Sequence, residues 1–127
     1  MAFAQEILYL TLTLLAFLTG LNFLSFALSK GDKFRKEATL VFAAGLAASL
    51  ILCVWSIVPL IAFVAGSLFA AAMANRVTSK ELKPDFLKAT VIVVKFNHPF
   101  VNSINSFLHL LLSVLIAVSA IFILTGF

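Results

Sequence analysis

Apolar and polar residues fall along this chain in long blocks rather than in short alternations. Three stretches, Ile7 to Ser29, Ala38 to Asn75 and Phe100 to Phe127, contain no Asp, Glu, Lys or Arg. Each is long enough to cross about 30 Å of hydrocarbon as a helix rising 1.5 Å per residue. A lipid-spanning sheet would have to close into a barrel of alternating polar and apolar positions, and that pattern is absent, so helices are expected.

The middle stretch is too long for one crossing. As a single helix, Ala38 to Asn75 would extend roughly 57 Å, nearly twice the hydrocarbon thickness, and it would put the two basic connections on opposite faces of the membrane. A turn near Trp55 to Val58 removes both difficulties. Trp55 suits an interface, Ser56 can cap a following helix, and Pro59 is tolerated in a helix's first turn. The expected fold is therefore an all-α integral membrane protein, a single membrane domain over residues 1–127. Four transmembrane helices form two hairpins, at about 7–29, 38–55, 59–75 and 99–125, with boundaries good to about two to four residues.

A short interfacial segment at about 84–97 precedes the last helix. Pro84 can begin a helix there, Phe86, Val93 and Phe96 can dip into the bilayer, and Lys88 and Lys95 can reach headgroups. An interfacial helix is the expectation. The β-branched run Thr90 to Val94 fits extended backbone as the alternative.

Composition agrees with a lipid environment: 63% of the 127 residues are hydrophobic and only 11% are charged, too few for the polar shell of a soluble domain. The first apolar stretch lacks a basic n-region and exceeds a signal peptide's core, so it is read as a retained helix. The net charge of +4 points to lipid and not to nucleic acid, because every cation flanks an apolar block. Lys30, Lys33, Arg35 and Lys36 form one group, and Arg76, Lys80, Lys83, Lys88 and Lys95 the other. Such residues usually stay cytoplasmic, which puts both termini on the opposite side of a plasma or inner membrane. The single cysteine, Cys53, makes no intrachain disulfide and reads as a small apolar residue.

Two internal patterns concern packing. Gly45 and Ser49, and Gly66, Ala70 and Ala74, are small residues at helical spacing that let backbones approach closely. Ala16, Phe17, Gly20 and Phe23 repeat as Ala62, Phe63, Gly66 and Phe69 in the same A-F-x-x-G-x-x-F order. Two readings stand: a duplicated helix-loop-helix unit, related by an axis along the membrane normal, or a chance match in a chain rich in Ala, Phe and Gly.

Candidate chemistry sits on one stripe. His98, Asn102, Asn105, His109 and Ser113 are spaced to share a face of the last helix, and Thr11, Asn22, Ser25 and Ser29 share one on the first. In hydrocarbon these groups need partners, so the two faces should meet. Hydrogen bonding between helices is the plain reading, and a polar cleft open at the basic-loop end is the functional one. His109, with Asn105, Asn102, Asn22 and His98 around it, is the candidate cofactor-binding set. Its imidazole suits a haem, a chlorophyll-type pigment or a quinone, although no cofactor is the primary expectation.

No metal-spaced Cys/His set, nucleophile elbow or phosphate-cradling glycine loop occurs, so no catalytic or metal residue is assigned. The five acids, Glu6, Asp32, Glu37, Glu81 and Asp85, all lie outside the apolar blocks, which disfavours ion-coupled transport. The expectation is a non-catalytic accessory or structural subunit of a larger membrane complex, with membrane lipids and other integral membrane subunits as partners. A small homo-oligomeric channel or facilitator is the second reading, and a haem, pigment or quinone binder centred on His109 the third.

Overall fold

A computed structural model describes residues 2–28, 35–82 and 92–126. The chain is mostly helical. The first rod comprises α1 (Ala2–Leu18), a π-helical turn (Thr19–Phe23) and α2 (Leu24–Leu28). It is followed by α3 (Arg35–Leu52), α4 (Val58–Ala72), a short 3-10 turn (Ala74–Arg76), strands β1 (Val77–Leu82) and β2 (Ile92–Phe96), and α5 (Pro99–Thr125). Two rods, Ala4–Leu28 and Pro99–Thr125, are long and apolar enough to cross a membrane, whereas the apolar helix Val58–Ala72 is shorter.

The chain does break between α3 and α4. Amides of Cys53, Val54 and Trp55 donate to carbonyls three residues back, the Ser56 amide donates to Leu52, and the Ser56 hydroxyl then accepts from the Val58 amide at 3.2 Å. Pro59 occupies the first turn of α4, where its missing N–H costs nothing. The result is two short helices: α3 spans about 27 Å and α4 about 22 Å at 1.5 Å per residue. Trp55 stands 77% exposed at the turn.

Contacts set the directions of the rods. Thr19 meets Gly45 while Ala27 and Ala38 share a cluster, so α3 returns antiparallel to the first rod. Gly45 and Phe42 both meet Phe63, joining α3 to α4 as a hairpin. Asn22 bonds Asn105, and Thr11 contacts Ser119, which makes α5 antiparallel to the first rod as well. The first rod and α4 are therefore parallel. The first rod is the central element and packs on α3, α4 and α5, while α4 and α5 make next to no contact with each other.

The repeated motif lies at the crossing of these parallel helices, and its two copies face one another. A Cβ on Gly20 would stand 2.5 Å from the Phe63 carbonyl oxygen and 2.9 Å from Ser67 Oγ, and a Cβ on Gly66 would strike the carbonyl of Phe17. Glycine 20 of one copy thus abuts phenylalanine 63 of the other, and glycine 66 abuts phenylalanine 17, the reciprocity a two-fold axis produces. The relation stops at the outer helices, because among the helices α5 packs on the first rod but hardly on α4, whereas α3 packs on both the first rod and α4.

The all-α expectation needs one correction. Residues 92–96, inside the segment expected as an interfacial helix, form a strand that pairs antiparallel with β1. Leu82 stands opposite Ile92, Lys80 opposite Val94 and Val77 opposite Phe96, with an irregularity between Val77 and Ser79. Residues 84–91 of that segment lie outside the described residues. β2 alternates as strands do, with Ile92, Val94 and Phe96 buried and Lys95 exposed. Its inner face joins Leu21, Phe23, Phe26, Ala27, Ala38 and Ala70 in the main apolar cluster. The main apolar cluster thus lies at the basic-loop end, against the buried face of β2. Elsewhere large apolar side chains point outward, among them Leu40, Ile51, Leu68 and Leu124.

Candidate functional site

The predicted meeting of polar faces occurs, and its centre is a pair of amides. Asn22 and Asn105 are both essentially fully buried. Asn22 Nδ2 donates to Asn105 Oδ1 at 3.2 Å, and Asn105 Nδ2 donates back to Asn22 Oδ1 at 3.1 Å. The pair also holds the strand, since the Val94 N–H donates to Asn22 Oδ1 at 3.2 Å and the Val94 C=O accepts from Asn105 Nδ2 at 2.9 Å. The remaining Asn22 proton goes to the Leu18 carbonyl at 3.0 Å. Backbone groups of fixed polarity thereby dictate which way each amide points. Both donors of both side chains are used.

This arrangement explains why β2 is a strand. A helix would consume its own N–H and C=O groups internally, whereas here the edge of β2 away from β1 is completed by side chains of the first rod and α5. Asn102 extends the row, its Oδ1 accepting from the Phe96 amide at 3.4 Å. The same Asn22 that grips the strand sits in the π-helical turn and bonds the Leu18 carbonyl, an interruption of the ordinary ladder of the kind that widens a turn.

The other members of the stripe separate from the pair. His98 is the N-cap of α5, extended in backbone, with Nδ1 accepting from the Val101 amide at 3.3 Å, which satisfies one of the otherwise orphan donors of the first turn. His109 lies one turn beyond Asn105 and is 2% exposed. Its carbonyl accepts from Ser113 Oγ at 3.0 Å. Asn22 therefore meets Asn105, a turn nearer the basic end than His109. The expected cleft is not open at that end, because Val94, with no exposed surface, fills it.

One contact was not foreseen. Near the far end of the interface Thr11 Oγ, which donates to Ile7 at 2.8 Å, lies 3.3 Å from Ser119 Oγ, both buried. The signal was the continuation of the buried face of α5 through Asn105, His109, Leu112 and Ser119, a better fit than the branch to Ser113. Thr11→Val should cost under about 1 kcal/mol, the range of membrane interhelical hydrogen bonds, in reversible unfolding in mixed SDS micelles. A larger loss would mean that the hydroxyl pair does more than join two helices.

Two apolar crevices flank the first rod. One, about 120 Å³, runs between α1 and α3 past Ala16, Thr19, Gly45, Ala48 and Ser49. The other, about 110 Å³, is lined by Phe17, Leu21, Phe69, Phe100, Val101, Ile104 and Asn105. Neither is lined by His109. Among the described residues no group of three or more His, Cys, Asp or Glu is placed to hold a metal ion. The chain matches no protein-family model, and neither the curated proteins nor the solved structures yield a match.

Proposed function

We propose that this chain is a four-helix membrane-embedded scaffold that acts as a non-catalytic accessory subunit of a larger membrane complex. One observation carries the reading. The buried polar groups best suited to chemistry, Asn22 and Asn105, are consumed on each other and on the Val94 backbone, while large apolar side chains face outward. A bundle that spends its amides on holding its own hairpin offers a rigid outer surface to lipid and neighbouring subunits. On this reading α3 and α4 cross as a hairpin with the other two rods. Their short lengths are accommodated by local thinning of the bilayer or by partner contacts.

The channel reading has less support, because the polar stripe lies within the contact between the first rod and α5 and not along an open lumen. The haem, pigment or quinone reading has less support because neither crevice beside the first rod is lined by His109. In both alternatives the basic connections keep the cytoplasmic placement that their charge favours.

Native mass measurement of the complex extracted from its own membrane tests the assignment. Stoichiometric heterologous subunits are expected. A closed ring of identical chains would overturn the assignment in favour of a channel, and a bound chromophore that His109→Leu removes would overturn it in favour of a cofactor protein. Topology is checked on a Cys53→Ser background, where cysteines placed at Lys36 and at Thr78 should be labelled by an impermeant maleimide from the same side. Labelling from opposite sides would end the two-hairpin arrangement.

A further inference from the structure

The crevice where α4 and α5 splay apart has an entirely apolar surface. Its one polar neighbour, Asn105, has both amide protons committed to Asn22 and Val94, so it offers an occupant no donor. Phe17 and Phe69 form one wall, their rings edge-on at 6.3 Å, and Phe100, Val101 and Ile104 form the other. The volume, about 110 Å³, excludes a packed helix, which is about 10–12 Å across. It suits one flexible hydrocarbon chain entering from the side.

What lies at the basic end of the crevice decides the class of occupant. The Asn97 amide donates to the Arg76 carbonyl, and Val77 stands opposite Phe96. The hairpin base therefore bridges the end of α4 to the start of α5, with exposed Arg76 bonded through its carbonyl to the residue three before Phe100. Phe100 is three residues past Asn97, and Phe69 lies in the last turn of α4, seven residues before Arg76. In the sequence, the stretch from Arg76 to Lys95 carries Arg76, Lys80, Lys83, Lys88 and Lys95 against only Glu81 and Asp85. An apolar slot with an exposed arginine where the chain joins its basic end is complementary to a molecule with a hydrocarbon tail and an anionic phosphate, since guanidinium binds phosphate oxygens with a planar fork of donors.

We propose that this crevice is a binding site for an anionic phospholipid, with one acyl chain between Phe69 and Ile104 and the phosphodiester on Arg76. The proposal rests on the membrane placement above, and the experiment separates the two. The full chain in detergent is titrated with phosphatidylglycerol and with phosphatidylcholine of the same acyl chains, and bound lipid is read by native mass spectrometry. Phosphatidylglycerol should be retained preferentially. Arg76→Gln should lower that preference about fivefold, the effect of one cation at an anionic headgroup, and Ile104→Trp, at a position already 41% exposed, should fill the slot and weaken both lipids. Equal retention of the two lipids by the unaltered chain, an undiminished preference in Arg76→Gln, or a dimer that Ile104→Trp abolishes would overturn the site, the last by assigning the crevice to a second copy. Carbonate extraction runs alongside: protein that stays in the membrane while the lipid result fails overturns the site alone, and protein released by carbonate overturns both.

Discussion

Gly66→Ala should destabilise the fold by about 2–3 kcal/mol, the cost of forcing a methyl into a filled contact, in reversible unfolding in mixed SDS micelles followed by circular dichroism. The sign is informative because alanine is favoured over glycine by about 1 kcal/mol in an unconstrained helix. At position 66 the added carbon would strike the Phe17 carbonyl and come within 3.1 Å of the Leu21 amide nitrogen. Both are backbone atoms, so the first rod and α4 must move apart as units. Gly20→Ala meets the mirror obstacle at the Phe63 carbonyl and should cost a similar amount. Gly45→Ala is the graded comparison, since its neighbours are Thr19 Cγ2 at 2.9 Å and a ring carbon of Phe63 at 3.0 Å, side-chain atoms that can yield. Its loss should be clearly smaller. A Gly66→Ala protein more stable than the parent would show that the two helices do not cross so closely.

Replacing Asn22 or Asn105 with Leu should each lower stability by about 2–3 kcal/mol, on the scale of buried polar groups left unsatisfied. Membrane interhelical hydrogen bonds average less, about 0.6 kcal/mol, because the unfolded helices find other partners. Here the larger figure applies, since each substitution orphans not only the facing amide but a backbone group of a strand. Asn22→Leu strands the Val94 N–H, and Asn105→Leu strands the Val94 C=O. Hydrogen exchange separates this from general loosening: in Asn22→Leu the Val94 amide should lose protection, while β2 amides directed toward β1 keep theirs. If Val94 stays as protected as in the parent, the strand is not held by that side chain.

Much of the helical layout was legible before any tertiary information. The break near Pro59 followed from length, charge and the proline's tolerance of a first helical turn, and α5 begins and ends where the apolar block does. The stripe on α5 correctly indicated an inward face, and Asn22 was recognisable as a facing partner. The strand at Ile92–Phe96 was not. Five residues rich in Val and Ile fit a strand or an interfacial turn of helix about equally well, and the deciding element lies elsewhere in the chain, in two asparagines more than ten residues from Val94 along α5 and more than seventy along the first rod.

The repeated A-F-x-x-G-x-x-F motif illustrates the same division. Its spacing was visible as one-dimensional similarity, which is compatible with two helices that never touch. That Gly20 and Gly66 lie at one crossing, each against the other's phenylalanine carbonyl, depends on how the rods are rotated and how nearly parallel they run.

The sequence by itself determined where the chain is apolar, where it must turn and which helix faces cannot tolerate lipid, because those follow from hydropathy and a periodicity of 3.6 residues. Only the tertiary structure decided which polar groups meet and that a strand, not a cleft, occupies the space above them. A hydrogen bond is made or lost over less than an ångström of relative helix position, and that position is set by contacts between residues far apart in the chain.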